Sequence, residues 1–186
     1  MTARLVVLAS GSGSTLQAIL DGDLPATIVA AGTDRPGCQA MDRARAAGLE
    51  TFAVALEDYL DRPAWDAALA ARLAQHRPDL VVLAGFMRIL SSDTVSRFRL
   101  VNTHPALLPA FPGAHAIRDA LNYGVKVSGV TVHWVDAGVD TGPVIAQVPV
   151  PVCDGDTEET LRDRIQLSEK PLYVETIRQL CKEFAE

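Results

Sequence analysis

Three stretches of the chain combine chemically useful residue types with spacings that can bring them together. Asn102-Thr103-His104-Pro105 closes a short apolar run, and the period-two alternation of a strand puts the Asn102 and His104 side chains on one face. An amide and an imidazole on one face can stabilise an oxyanion and shuttle a proton. The same pair can instead do no more than satisfy the backbone of the loop. Asp136-Ala137-Gly138-Val139-Asp140-Thr141-Gly142-Pro143 carries two carboxylates, which taken alone read first as turn formers accepting backbone N–H bonds. Ser10-Gly11-Ser12-Gly13-Ser14-Thr15-Leu16 has the glycines that let a backbone approach a ligand, with N–H groups free to face a phosphate. The competing reading is a tight strand-to-helix turn with Ser14 as helix cap.

Two further stretches are weaker. Phe86-Met87-Arg88-Ile89-Leu90 offers an apolar wall or ordinary burial at a strand end. His133 alternates with Val130, Val132 and Trp134, so packing is at least as good an account of it as chemistry. A dinucleotide site fits poorly, because Leu16 replaces the third glycine of the Gly-x-Gly-x-x-Gly turn, although Asp34 falls near the place of a ribose-reading acid. A Walker-type loop would need a lysine that this turn lacks.

The elements that must position these residues follow from hydrophobic period. Apolar runs at Leu5–Ala9, Thr27–Ala31, Thr51–Ala55 and Leu80–Ala84 alternate with helix-period stretches near Ser14–Leu20, Gly37–Ala47 and Pro63–His76. This order predicts an α/β fold: a Rossmann-like open, mostly parallel sheet with helices on both faces. A short strand at Leu100–Thr103 and a helix at His115–Tyr123 follow. The segments 125–135 and 142–152 then read as two strands that extend the sheet antiparallel. A last helix from about Thr157 to Phe184 opens with Glu158 and Glu159, which suit the positive end of a helix dipole, and is expected to cross the sheet. Open sheets of this kind bind ligands in the crevice at the carboxyl ends of their strands, where Asn102 and His104 fall.

The 186 residues fit a single domain. A formal charge of −6 disfavours broad nucleic-acid or anionic-membrane binding, so any anionic substrate must be met locally. No stretch is long and apolar enough for a membrane span and no export signal is evident, which makes the cytoplasm the default. Cys38, Cys153 and Cys181 are odd in number and far apart, which suits free thiols rather than a metal knuckle or a disulfide framework.

In order and spacing, Ser10–Gln17, Leu83–Leu90, Asn102–Gly113 and His133–Ile145 resemble the successive motifs of the folate-dependent phosphoribosylglycinamide formyltransferase family, over nearly the whole chain. The resemblance implies transfer of the formyl group of 10-formyltetrahydrofolate, a co-substrate, to the amine of glycinamide ribonucleotide in purine synthesis, with no metal. It implies a catalytic group of Asn102, His104 and Asp140, the last chosen because it follows His133 by seven residues and precedes Gly142-Pro143. Gly13, Ser14 and Thr15 would hold the acceptor phosphate, and Gln166, Leu167, Ser168 and Glu169 its ribose side. Arg62, Met87, Arg88, Ile89 and Leu90, with Asn102 and the loop Asp136, Ala137, Gly138, Val139 and Asp140, would frame the folate. Residues 1–100 are then the acceptor-phosphate half and 101–186 the catalytic and folate half of one formyltransferase domain. Thr15 stands where asparagine is common in the family, and Ala106 where serine is common. The chain is also expected to lack the terminal strand or tail of many relatives. It has no room for the additional domain of methionyl-tRNA formyltransferases, so the partners implied are small molecules, with the oligomeric state open. The alternatives are a formyltetrahydrofolate hydrolase, which shares the catalytic stretch but lacks the Gly-Ser turn, and a non-catalytic dinucleotide-binding module.

Overall fold

Alternation along the first strand sets the layers. β1 (Ala3–Leu8) sends Leu5 and Val7 into one core and Val6 and Leu8 into another, all fully buried. A strand apolar on both faces must be covered on both sides, as the composition of this run predicts. The computed structural model describes residues 2–184. Its sheet has seven strands in the order β3-β2-β1-β4-β5-β6-β7, with β2 (Ala26–Thr33), β3 (Thr51–Ala53), β4 (Leu80–Leu83), β5 (Leu100–His104), β6 (Val127–Trp134) and β7 (Val144–Pro151). The first five are parallel, and β6 and β7 extend the sheet antiparallel, as expected from the sequence.

On one face lie α1 (Ser14–Asp21), α2 (Gln39–Ala46) and much of α6 (Glu158–Glu183), whose Leu16, Ile19, Met41, Tyr173 and Ile177 share the core of Leu5 and Val7. On the other lies α3 (Arg62–His76), which buries Trp65, Leu69 and Leu73 against Val6 and Leu8. Asp61 caps α3 by accepting the Ala64 N–H, with Pro63 in the first turn. α4 (Ser92–Arg97), only six residues long, and a 3-10 turn at Leu56–Asp58 escape the periodicity argument, being too short to show a period. α5 (Ala116–Tyr123) packs Ile117 near Val130, Val150, Leu161 and Ile165.

Two details set the site. Thr157 caps α6 in a reciprocal pairing with Thr160, and the helix runs across the sheet so that the Tyr173 hydroxyl reaches the carbonyls of Leu83 (3.0 Å) and Val101 (2.9 Å). That hydroxyl ties the last residue of β4 to the second residue of β5. In the antiparallel register, Asn102 lies opposite His133 and His104 opposite Thr131. Among the described residues, no helix is long and apolar enough to cross a membrane.

Candidate active site

The turn after β1 is held from behind. The Gly11 carbonyl accepts the Ala40 N–H (3.0 Å), the Ser12 carbonyl accepts Arg43 Nε–H (2.9 Å), and the Gly13 carbonyl accepts the Gln17 N–H (2.8 Å). With these carbonyls turned toward α2 and α1, no main-chain carbonyl among the described residues accepts the N–H groups of Gly11, Ser12, Gly13, Ser14 or Thr15. The result is a concave row of amide donors at the positive end of α1, suited to an anion. Gly13, not Ser14, is the N-cap; it sits at φ 75°, and no side chain caps the helix. A Cβ on Gly13 would lie 2.6 Å from Ala40 Cα, so close packing as well as backbone conformation requires glycine here.

At the end of β5 a second arrangement is made of side chains. Asp140, itself in the left-handed region at φ 55°, stands between two imidazoles: Oδ2 is 3.3 Å from His104 Nδ1, and Oδ1 is 3.6 Å from His133 Nε2. The Gly113 N–H donates to Oδ2 at 2.7 Å. The far side of each ring meets a carbonyl, Phe111 for His104 Nε2 (2.7 Å) and Trp134 for His133 Nδ1 (2.9 Å). A carbonyl only accepts, so each ring donates there and turns its other nitrogen toward the carboxylate. Asn102 Nδ2 lies 3.4 Å from His133 Nε2. His133, the Gly113 amide and His104 together hold the Asp140 carboxyl below its ordinary value, with His133 foremost and burial opposing them. An anionic carboxylate backing an imidazole beside an amide donor can take up and pass on a proton and stabilise a developing oxyanion.

Two cavities meet at the carboxyl ends of β4 and β5. One, of about 480 Å³, is lined by residues 11–15 and, across from them, by Arg118, Glu158, Arg162, Gln166 and Glu169. The other, of about 420 Å³, is lined by Met87, Arg88, Ile89, Leu90, Asn102, His104, His133, Asp136, Gly138, Val139 and Asp140. Gly85, Met87, Thr103, Pro105 and Ala114 line both, so the cavities form the two ends of one cleft. Burial raises the Glu169 carboxyl above its ordinary value; Thr103 lies close enough to oppose that shift without making a regular hydrogen bond.

Several expected site residues stand elsewhere. Leu167 is 77% exposed and, like Ser168, lines neither cavity, because a helix turns only every third or fourth residue to one face and Gln166 and Glu169 take those places. Ala137 is absent from the lining. Arg62 is held at one remove, over the Trp65 ring, paired with Asp66 (3.0 Å) and donating to the Ile89 carbonyl. Each cavity draws on residues from both sides of position 100, the expected boundary between the acceptor-phosphate half and the folate half. Asp34 is not free to read a ribose: its carboxylate is buried and occupied by Ser10 and Arg88. Ala106 is buried, and its carbonyl accepts from the Thr131 hydroxyl (2.7 Å). His133, which the sequence leaves between packing and chemistry, stands opposite Asn102 and joins this group, while Arg118, Glu158 and Arg162 carry no sequence signal that marks them as cavity lining.

Comparison with known proteins adds four findings. The formyl transferase family pattern matches residues 3–177. A phosphoribosylglycinamide formyltransferase of Mycobacterium tuberculosis is 58% identical over 184 residues, covering 96% of this chain and 85% of that protein, and the enzyme of the same name from Escherichia coli is 42% identical over 91% of this chain and 83% of its own length. The solved structure of glycinamide ribonucleotide transformylase 1 from Symbiobacterium toebii superposes with a TM-score of 0.95 at 47% identity, covering 98% of this chain and 89% of that one.

Proposed function

The chain belongs to the formyl transferase family, and on that premise we propose that it transfers the formyl group of 10-formyltetrahydrofolate to the amine of glycinamide ribonucleotide in purine biosynthesis. The observation that carries this reading is the single cleft with two unlike ends, an amide cradle for an anion at one and the Asp140 carboxylate between His104 and His133 at the other. The acceptor phosphate fits the cradle at Gly13, Ser14 and Thr15, with Gln166 and Glu169 opposite. The folate fits the end walled by Met87–Leu90 and the loop from Asp136 to Asp140. The amine and the formyl carbon then meet beside the shared residues Thr103 and Pro105.

In the reaction so assigned, the acceptor nitrogen bonds to the formyl carbon and its carbonyl oxygen takes negative charge. The Asn102 amide donates to that oxyanion, and the His104 imidazolium, its nitrogens turned to Asp140 and the Phe111 carbonyl, stabilises it through its charge. Asp140, held anionic, supports the imidazolium and relays the proton lost by the attacking nitrogen toward the folate nitrogen that leaves. His133, its Nδ1–H held by the Trp134 carbonyl, packs its ring beside the carboxylate, with Nε2 3.6 Å from Asp140 Oδ1. The deciding experiment incubates the protein with glycinamide ribonucleotide and 10-formyltetrahydrofolate and follows formylated acceptor and tetrahydrofolate together. Equal appearance of both is expected; tetrahydrofolate without formylated acceptor would replace transfer by hydrolysis.

A further inference from the structure

Just past β2, Asp34 carries a carboxylate with no solvent exposure and both oxygens engaged. Oδ1 accepts the Ser10 hydroxyl at 2.5 Å, and Oδ2 pairs with Arg88 Nε at 2.7 Å. Ser10 is itself buried, and its oxygen accepts the Met87 N–H at 2.9 Å. One buried charge thus grips three points of the cleft. Ser10 immediately precedes the amide cradle, Met87 lines both cavities, and Arg88 lines only the second. A buried carboxylate without a counterion is costly, so Arg88 is held in place, while its partly exposed guanidinium keeps further N–H groups for the cavity.

We propose that Asp34 is a positioning residue that sets the two ends of the cleft relative to each other, through the Ser10 hydroxyl toward the cradle and through Arg88 toward the folate wall. The two oxygens do separable work, which makes the inference testable. Asp34→Asn keeps an oxygen for Ser10 but presents an amide N–H₂ to Arg88, donor against donor. Asp34→Ala removes both contacts.

This inference rests on the functional reading above, and the assay separates their failures. For wild type, Asp34→Asn, Asp34→Ala and Arg88→Leu, the measurements are KM for each substrate, kcat, and calorimetric binding of tetrahydrofolate alone. Asp34→Asn is expected to raise the folate KM and weaken tetrahydrofolate about tenfold, with the acceptor KM within about twofold, because a hydrogen-bonded charge contact is lost on one side only. Asp34→Ala should raise both KM values. Arg88→Leu should reproduce the folate effect, and adding Asp34→Asn to it should change folate affinity no further. A merely structural role would lower the active fraction, and so kcat, without this split. An equal rise in both KM values for Asp34→Asn, or unchanged folate affinity in a folded variant, overturns the proposal. A wild-type protein that forms no formylated acceptor overturns the functional reading instead, and the tetrahydrofolate titrations still decide the role of Asp34.

Discussion

The two ends of the cleft are built from different material. The end assigned to the acceptor is built around main chain: five consecutive amides, the carbonyls of Gly11, Ser12 and Gly13 pinned by Ala40, Arg43 and Gln17, around a glycine that admits no side chain. The end assigned to the folate is side chain: a carboxylate, two imidazoles and an amide whose positions depend on strand register and on one loop residue in the left-handed region. A main-chain site tolerates changes of side chain except at its glycine, whereas a side-chain site fails when any member of the group is altered. Thr15, a departure from the resembled motif, falls in the tolerant end.

The largest expected effect lies at the side-chain end. Asp140→Asn keeps the size of the side chain and removes its charge, and His104→Ala removes the imidazole. Each should lower kcat by roughly 10²–10⁴-fold, the range for a positioned acid–base group, with smaller changes in KM. Because both act on one intermediate, the double variant should lose far less than the product of the two single losses. Turnover of the four folded proteins checks this, and multiplicative losses would separate Asp140 from His104. The pH sign is fixed by the depressed carboxyl: its folded value lies below its unfolded one, so the charge adds stability above the unfolded value and loses it as pH falls through the folded one. Wild type should therefore differ from Asp140→Asn in thermal stability near neutrality, and the difference should shrink in strong acid.

At the main-chain end the expected loss is smaller and falls on a different constant. Gly13→Val places a β-branched side chain at φ 75°, with its Cβ against the backbone of Ala40. The cradle must shift, so acceptor binding should weaken by about 30-fold or more, the equivalent of about 2 kcal/mol of lost N–H contacts, while tetrahydrofolate affinity changes little. Some loss of thermal stability should accompany it. Thr15→Ala should leave the acceptor KM within about threefold, because the amide and not the hydroxyl is assigned to the phosphate. Separate titrations of the two ligands decide: equal weakening of both by Gly13→Val, or a large effect of Thr15→Ala, would erase the contrast between the two ends.

Legibility from sequence divides along the same line. The Gly-Ser turn and the parallel strands are readable because glycine placement and continuous apolar runs are local signals, as at Leu5–Leu8. The pairing of Asn102 with His104 was readable from period two. His133 was hidden because β6 is buried on both faces, so alternation offered no contrast between a packed and a working residue. Ser14 read as a cap because serine favours that place, whereas the left-handed conformation at Gly13 moved the cap one residue earlier. Leu167 and Ser168 share a contiguous motif with Gln166 and Glu169, and only helix phase separates the two pairs. Asp34 is marked in the sequence by its position after β2, but its partners lie 24 and 54 residues away, and no local pattern reports such a pairing.

The smallest effect concerns Glu169, where the acceptor end does use a side chain. Burial raises this carboxyl above its ordinary value of 4.5, with Thr103 and Lys170 only partly offsetting it. The sign is therefore opposite to that at Asp140. Below the unfolded value both states are protonated and the group is neutral to stability. As pH rises from the unfolded to the folded value, the native state holds more protons than the unfolded one, and stability falls. Above the folded value the cost of a half-buried charge remains. Glu169→Gln removes that charge and keeps an oxygen able to accept a hydrogen bond from a ribose hydroxyl. The variant should melt at a higher temperature than wild type at neutral pH and at nearly the same temperature in acid below the ordinary glutamate range. Its acceptor KM should rise only several-fold, since a charged acceptor is exchanged for a neutral one. Melting curves at the two pH values, with acceptor KM at neutral pH, provide the check. A variant less stable than wild type at neutral pH would mean that the charge is compensated within the fold, and an unchanged acceptor KM would leave the acceptor end without a side-chain contact at Glu169.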